Sequence, residues 1–203
     1  MTPESPLGAS GLAVALAWAV RLGLAGLLVA ICASDLRARR IPNFLVLAGL
    51  ALALLWHSGA PAGAGLFDAA SLGGLGAGPA LAAAAAAFGF FLVLHLLGAM
   101  GAGDVKLAGM LGAAFGLKAL PALLLSIFLF GGLLALARLF DGGRRRALLA
   151  NLRLILFARL AGAAGAGPVF DPRTDTADRL PFALAICGGA LATAVSQWMG
   201  WLG

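Results

Sequence analysis

The chain has 203 residues, 62% of them hydrophobic and only 11% charged, with a mean hydropathy of +1.03; soluble domains are about half apolar and about a quarter charged, so the balance is that of a membrane protein and leaves no length for a separate soluble domain. The net charge is +6, yet 11 of the 14 basic residues fall in two blocks, Arg37 to Arg40 and Arg138 to Arg179. Cytoplasmic loops beside membrane spans collect Lys and Arg, so the blocks read as topology signals, and nucleic-acid binding is not implied.

A bilayer core of about 30 Å takes about 20 apolar residues per helix, and five or six spans fill this length. The first apolar segment covers 11–34. No Lys or Arg precedes Arg21, so the basic n-region of a cleavable signal peptide is missing and the segment is expected to be retained. Arg21 lies inside it, and the helix is expected to start as late as Trp18 with Arg21 snorkelling outward. The polar block DLRARR, from Asp35 to Arg40, then meets Ile41-Pro42-Asn43. Proline suits the first turn of a helix, where its missing N–H costs nothing, and a second span follows over 42–56.

From His57 to Pro79 the chain is rich in Gly, Ala and Pro, carries Asp68 and has no basic residue, which predicts an outer loop with part of a helix. The third span is 81–98, where an alanine run lets helix backbones approach closely. After GAMGAGD comes 105–117, roughly 20 Å as a helix and short for a crossing. The next segment, 119–139, ends in the second basic block. That block shares a side with Arg37 to Arg40 only if an even number of crossings separates them, so the short helix is counted as a span. Residues 144–160 place Leu148, Leu152 and Leu160 at helical spacing with arginines mostly elsewhere, which predicts a helix lying in the interface within a cytoplasmic segment 141–179. A last span covers 180–202. The expected architecture is all-α: one domain over 1–203, a polytopic transmembrane bundle of about six spans with both termini outside.

Of the eight acidic residues, Glu4 and Asp68 fall outside, and Asp141, Asp171, Asp175 and Asp178 sit among arginines. Asp35 and Asp104 remain, each where an apolar helix meets the inner interface. Two spans separate them, so both carboxylates return to one side of the membrane. Two carboxylates sharing a water hydrolyse a peptide bond when one is ionised and takes the water's proton while the other, protonated, polarises the carbonyl. Such a pair needs no metal and no cofactor. Asp104 follows Gly98, Gly101 and Gly103 and opens a helix; glycines permit unusual backbone angles and leave room for a substrate backbone, and a helix N-terminus favours negative charge, which makes Asp104 the expected more acidic partner. On spacing alone, Asp35 capping its loop and Asp104 capping its helix is an equal reading.

Weaker constellations lead elsewhere. Ser34 with His95, or the GASG of Gly8 to Gly11, sketches a serine mechanism, but that serine is not on a central helix. His57 and His95 read as packing or interfacial residues, Lys106 as a snorkelling side chain. Trp18, Trp56, Trp198 and Trp201 stand near span ends, where tryptophans form the interfacial belt. Cys32 and Cys187 belong to no CxxC pair and read as small hydrophobes.

DLRARRIPN, from Asp35 to Asn43, and GAGDVKLAG, from Gly101 to Gly109, resemble the two signature motifs of the type IV prepilin peptidases, which are GxGD aspartyl proteases. LPFALAICGG, from Leu180 to Gly189, is similar to the Pro-aromatic start of that family's last helix. The resemblance implies that Asp35 and Asp104 are the catalytic pair, shaped by Gly101, Gly103, Lys106, Pro42, Asn43 and Pro181. It implies a hydrolase of the bacterial inner membrane, active site toward the cytoplasm, with prepilins and pseudopilins as partners beside the lipid bilayer. Such an enzyme removes a short basic leader after a glycine, just before the hydrophobic pilin helix. The long members' extension with paired CxxC motifs, associated with zinc and methylation, is missing here, so the chain looks like the short tight-adherence (Flp pilus) type, with archaeal preflagellin peptidases a related possibility. The competing readings are a small proton-coupled transporter or channel, since intramembrane carboxylates also mark ion pathways, and a noncatalytic assembly subunit.

Overall fold

The computed structural model describes residues 6–68, 72–139 and 182–201. They form six helices: α1 (Pro6–Ala38), α2 (Asn43–Gly59), α3 (Ala77–Leu96), α4 (Ala102–Phe115), α5 (Leu120–Leu139) and α6 (Phe182–Trp198). The expected interfacial helix in 144–160 and Pro181 lie outside the described residues. Three helical stretches, Gly11–Ala38, Ala77–Leu96 and Leu120–Ala137, are long and apolar enough to cross a membrane, and α2 and α6 are shorter apolar helices. Large apolar side chains stand exposed along them, among them Leu22 and Val29 on α1, Leu47 and Leu55 on α2, and Leu125, Leu129 and Leu133 on α5. A surface of that kind is unstable in water and suits lipid.

The helix α4 sits at the centre. Val105 and every residue from Leu107 to Phe115 is buried, and a helix apolar all round belongs inside a bundle. Its contact with α3 depends on the absence of side chains: a Cβ on Gly112 would stand 2.5 Å from the Ala83 carbonyl oxygen. The same device joins α5 to α6, where a Cβ on Gly189 would lie 2.6 Å from the Ile127 backbone nitrogen. Without a hydrophobic drive between helices in lipid, such close backbone approach is what dispersion attraction requires.

At about 1.5 Å per residue the 14 residues of α4 measure roughly 21 Å, and the connection between α2 and α3 caps the far end. Leu66 is buried there and Phe67 stacks on Phe115 with centroids 4.5 Å apart. The connection is tied to itself by Gly63 N–H to Gly74 O at 3.0 Å and Gly74 N–H to Pro61 O at 2.7 Å. His57, 1% exposed, fastens it to α4. Its Nδ1 accepts the Leu75 N–H at 3.2 Å, which leaves Nε2–H to donate to Ala114 O at 3.3 Å. Trp56 is buried beneath the connection and donates its indole N–H to Gly73 O at 3.3 Å, so it is a core residue and not part of an interfacial belt.

Arg21 also departs from expectation, because α1 extends to Pro6 and Arg21 lies well inside it. Its guanidinium does not snorkel away. It donates to Leu66 O at 2.8 and 2.6 Å and lies 5.1 and 5.0 Å from the ring centroids of Trp18 and Trp198. One planar cation thus satisfies a loop carbonyl and two aromatic faces, holding α1, α6 and the connection together at the end opposite Asp35.

Candidate active site

The end of the bundle that carries Asp35 is made by the last turns of α1 and α3 and the first turns of α2, α4 and α6. The polar block expected to be a loop from Asp35 continues α1 to Ala38, with Arg39 N–H bonded to Asp35 O at 2.9 Å. Leu, Arg and Ala are good helix formers, and the turn comes only at Arg39, whose φ is +50°. Ser34 donates its hydroxyl to Arg40 O at 2.9 Å, folding the chain back toward α2. Pro42 is the N-cap of α2, with φ −66° and ψ 126°, and Asn43 opens the helix.

Asp104 is the third residue of α4. Its Oδ2 accepts the N–H of the N-cap residue Gly101 at 3.2 Å, the reach-back half of a capping box. Gly98, with φ +78°, makes the left-handed turn that ends α3 and needs glycine. Gly101 does not use that freedom, since its φ is −77°. Gly103 serves by size, and not as open room: a Cβ there would meet the Ile41 side chain at 3.1 Å, so the glycine lets the Ile41-Pro42 corner rest on the start of α4. Lys106, on the exposed side of α4, donates to Asn43 Oδ1 at 3.0 Å and ties the first turns of α4 and α2 together.

These contacts bring the two acids to one place. Asp35 lies close enough to Asp104 for its charge to act on it. Burial pushes the Asp104 carboxyl up to about 6; the Gly101 N–H works against that rise and the Asp35 charge adds to it. Desolvation therefore outweighs the helix N-terminus, opposite to the expectation that the helix end would make Asp104 acidic. Asp35 in turn accepts the backbone N–H of Ala183, in the first turn of α6, and has the Arg39 guanidinium near it. Both carboxyls thus accept a backbone N–H at the start of a helix and burial opposes the ionisation of each, with Asp104 the one lifted to about 6.

One contributor has no residue-type signal in the sequence, and another, His95, plays a part other than the serine mechanism weighed for it. The Ala183 donor is a backbone group. His95 lies in the last turn of α3, and its Nδ1 bonds to Met100 O at 2.8 Å, steadying the turn that leads into Gly101. Among the described residues no cluster of three His, Cys, Asp or Glu is placed to hold a metal.

No curated protein and no solved structure matches the chain. A model of the type IV leader peptidase family does, over residues 22–136. That stretch exceeds half the chain and contains both aspartates together with the Ile41-Pro42-Asn43 corner and the Gly101 to Asp104 turn packed against it. The chain therefore belongs to the type IV leader peptidase family.

Proposed function

We propose that this chain is an aspartyl endopeptidase that removes the N-terminal leader from type IV prepilin-like proteins at the cytoplasmic edge of the bacterial inner membrane. The observation that carries the reading is the meeting of Asp35 and Asp104, from helices far apart in sequence, within one electrostatic field and in unequal surroundings. The exposed Arg37, Arg39, Arg40 and Lys106 at this end supply the positive charge typical of a cytoplasmic face.

In the reaction, Asp35 takes a proton from the shared water while the oxygen of that water attacks the scissile carbonyl carbon, and Asp104 gives its proton to the carbonyl oxygen. The diol then collapses: Asp35 returns its proton to the leaving nitrogen as the C–N bond breaks, and Asp104 recovers one from the diol. The pair ends as it began, with one proton between two carboxyls. The hydrophobic pilin helix stays in the bilayer, and its leader, on the aqueous side, is presented to the carboxylates.

The test is cleavage of a prepilin in membranes by the parent, Asp35→Asn and Asp104→Asn. Each variant is expected to lose processing while still inserting and folding. Full processing by either rejects the assignment, and solute flux without trimming of any prepilin favours a transporter.

A further inference from the structure

We infer that Cys32 and Cys187 form a facing thiol pair that two-electron oxidants such as hydrogen peroxide convert to a disulfide between α1 and α6. Both cysteines are free and half-buried. The Cys32 thiol is 3.8 Å from Ala183 O, and the Cys187 thiol is 3.7 Å from Leu28 O. Each carbonyl lies one helical turn before the other cysteine. Crossed contacts of this kind put each sulfur on the face of its helix turned to the other helix, within about one turn of the other cysteine. The two thiols are near enough to act on each other. Packing as two small hydrophobes explains burial, but it does not call for reciprocal pairing across two helices 155 residues apart in sequence.

The chemistry balances without a cofactor. One thiolate attacks a peroxide oxygen, the O–O bond breaks, and water leaves after protonation; the other thiol attacks the sulfenic sulfur, the S–O bond breaks, and a second water leaves. Two thiols lose two electrons and two protons, and one peroxide becomes two waters. A reducing cytosol keeps the pair as thiols until oxidant rises.

The pair is next to the site. Cys32 precedes Asp35 by about one turn, Cys187 follows Ala183 by one turn, and Cys187 feels the charge of both Asp35 and Asp104. The sulfurs must close to about 2.05 Å to bond, a move of at least on the order of 1 Å from non-bonded approach that the two helices must absorb. Misplacing a catalytic group by about 1 Å costs up to ~100-fold in rate. The oxidised enzyme is therefore expected to be slow; this last step rests on the proposed peptidase activity, whereas the crosslink does not.

The full chain in membranes is treated with hydrogen peroxide, denatured and labelled with a maleimide-polyethylene glycol that retards each free thiol on a gel. Reduced protein is expected to take two labels and oxidised protein none, with an intact mass two hydrogens lighter. Cys32→Ala and Cys187→Ala are each expected to keep one label after mild oxidation. Two labels after oxidation, or label loss accompanied by added oxygen atoms, overturns the pair. Prepilin cleavage by the same samples is expected to fall at least tenfold on oxidation, to return with dithiothreitol and to be unresponsive in Cys32→Ala. Full-rate cleavage by crosslinked protein overturns the inhibition, while absence of cleavage in every state counts against the peptidase reading and leaves the gel result to decide the crosslink.

Discussion

Replacing Gly112 by alanine tests whether the approach of α3 and α4 positions the bundle. The added methyl would stand 2.5 Å from the Ala83 carbonyl oxygen and 2.6 Å from the Ala87 Cβ. Ordinary C···O and C···C contacts begin near about 3.3 and 3.5 Å, so the helices must separate by on the order of 0.8 Å. The oxygen is backbone and no rotamer relieves it. Overpacking of this kind costs about 1–3 kcal/mol. Alanine also favours helix over glycine by up to about 1 kcal/mol, and a matched control removes that contribution. Gly89, on α3, has nothing within 4 Å of its would-be Cβ, so Gly89→Ala carries the propensity gain without the clash. The difference between the two variants is then the strain alone, about 2 kcal/mol in mid-range, or roughly 4–8 °C in melting temperature for a chain of this size. Thermal unfolding of detergent-purified protein, followed by tryptophan emission, measures it. Because α4 carries Asp104, prepilin cleavage is expected to fall in Gly112→Ala and to hold in Gly89→Ala. Equal melting temperatures would refute the packing argument.

The raised Asp104 pKa, about 6 against an ordinary 3.8, means that the fold binds a proton there which the unfolded chain releases, so stability from this group falls as pH rises between roughly 4 and 6. Asp104→Asn is expected to melt above the parent near pH 8 and to lose most of that advantage near pH 4, measured by the same unfolding assay. Arg21→Lys keeps the charge but loses the planar fork, and amide exchange is expected to quicken in the connection between α2 and α3, at Gly63 and Gly74; unchanged exchange would show that Arg21 does not hold the connection. His57→Leu leaves the Leu75 N–H and the Ala114 carbonyl buried without their partner, and each such loss costs about 1–3 kcal/mol. Its melting temperature is expected to drop, with a smaller drop in His57→Gln, which retains one donor and one acceptor.

The approach of Asp35 to Asp104 was legible because hydropathy counts crossings: two apolar segments between them, now α2 and α3, return the chain to one end of the bundle. Helix ends were less legible. Polar residues after Ser34 mark a change of polarity, not the end of the helix, and Leu36, Arg37 and Ala38 favour continuing it. Partners distant in sequence left no trace either. Arg21 reaches a carbonyl 45 residues away, and His57 meets Ala114 because α2 runs alongside α4; both contacts exist only once the bundle is assembled. The acidity of Asp104 was misjudged for a related reason: the helix N-terminus can be read from the glycines before it, whereas the burial that overrides it depends on the elements folded around it.

The Ala183 N–H on Asp35 joins the first helix to the last. A ribosome delivers α1 through α5, both acids included, well before residue 183 emerges, so during synthesis Asp35 waits without its donor. The pair reaches its final electrostatic balance only when the last helix docks on the first, and a nascent chain stalled before that point would be expected to hold both aspartates and still lack peptidase activity.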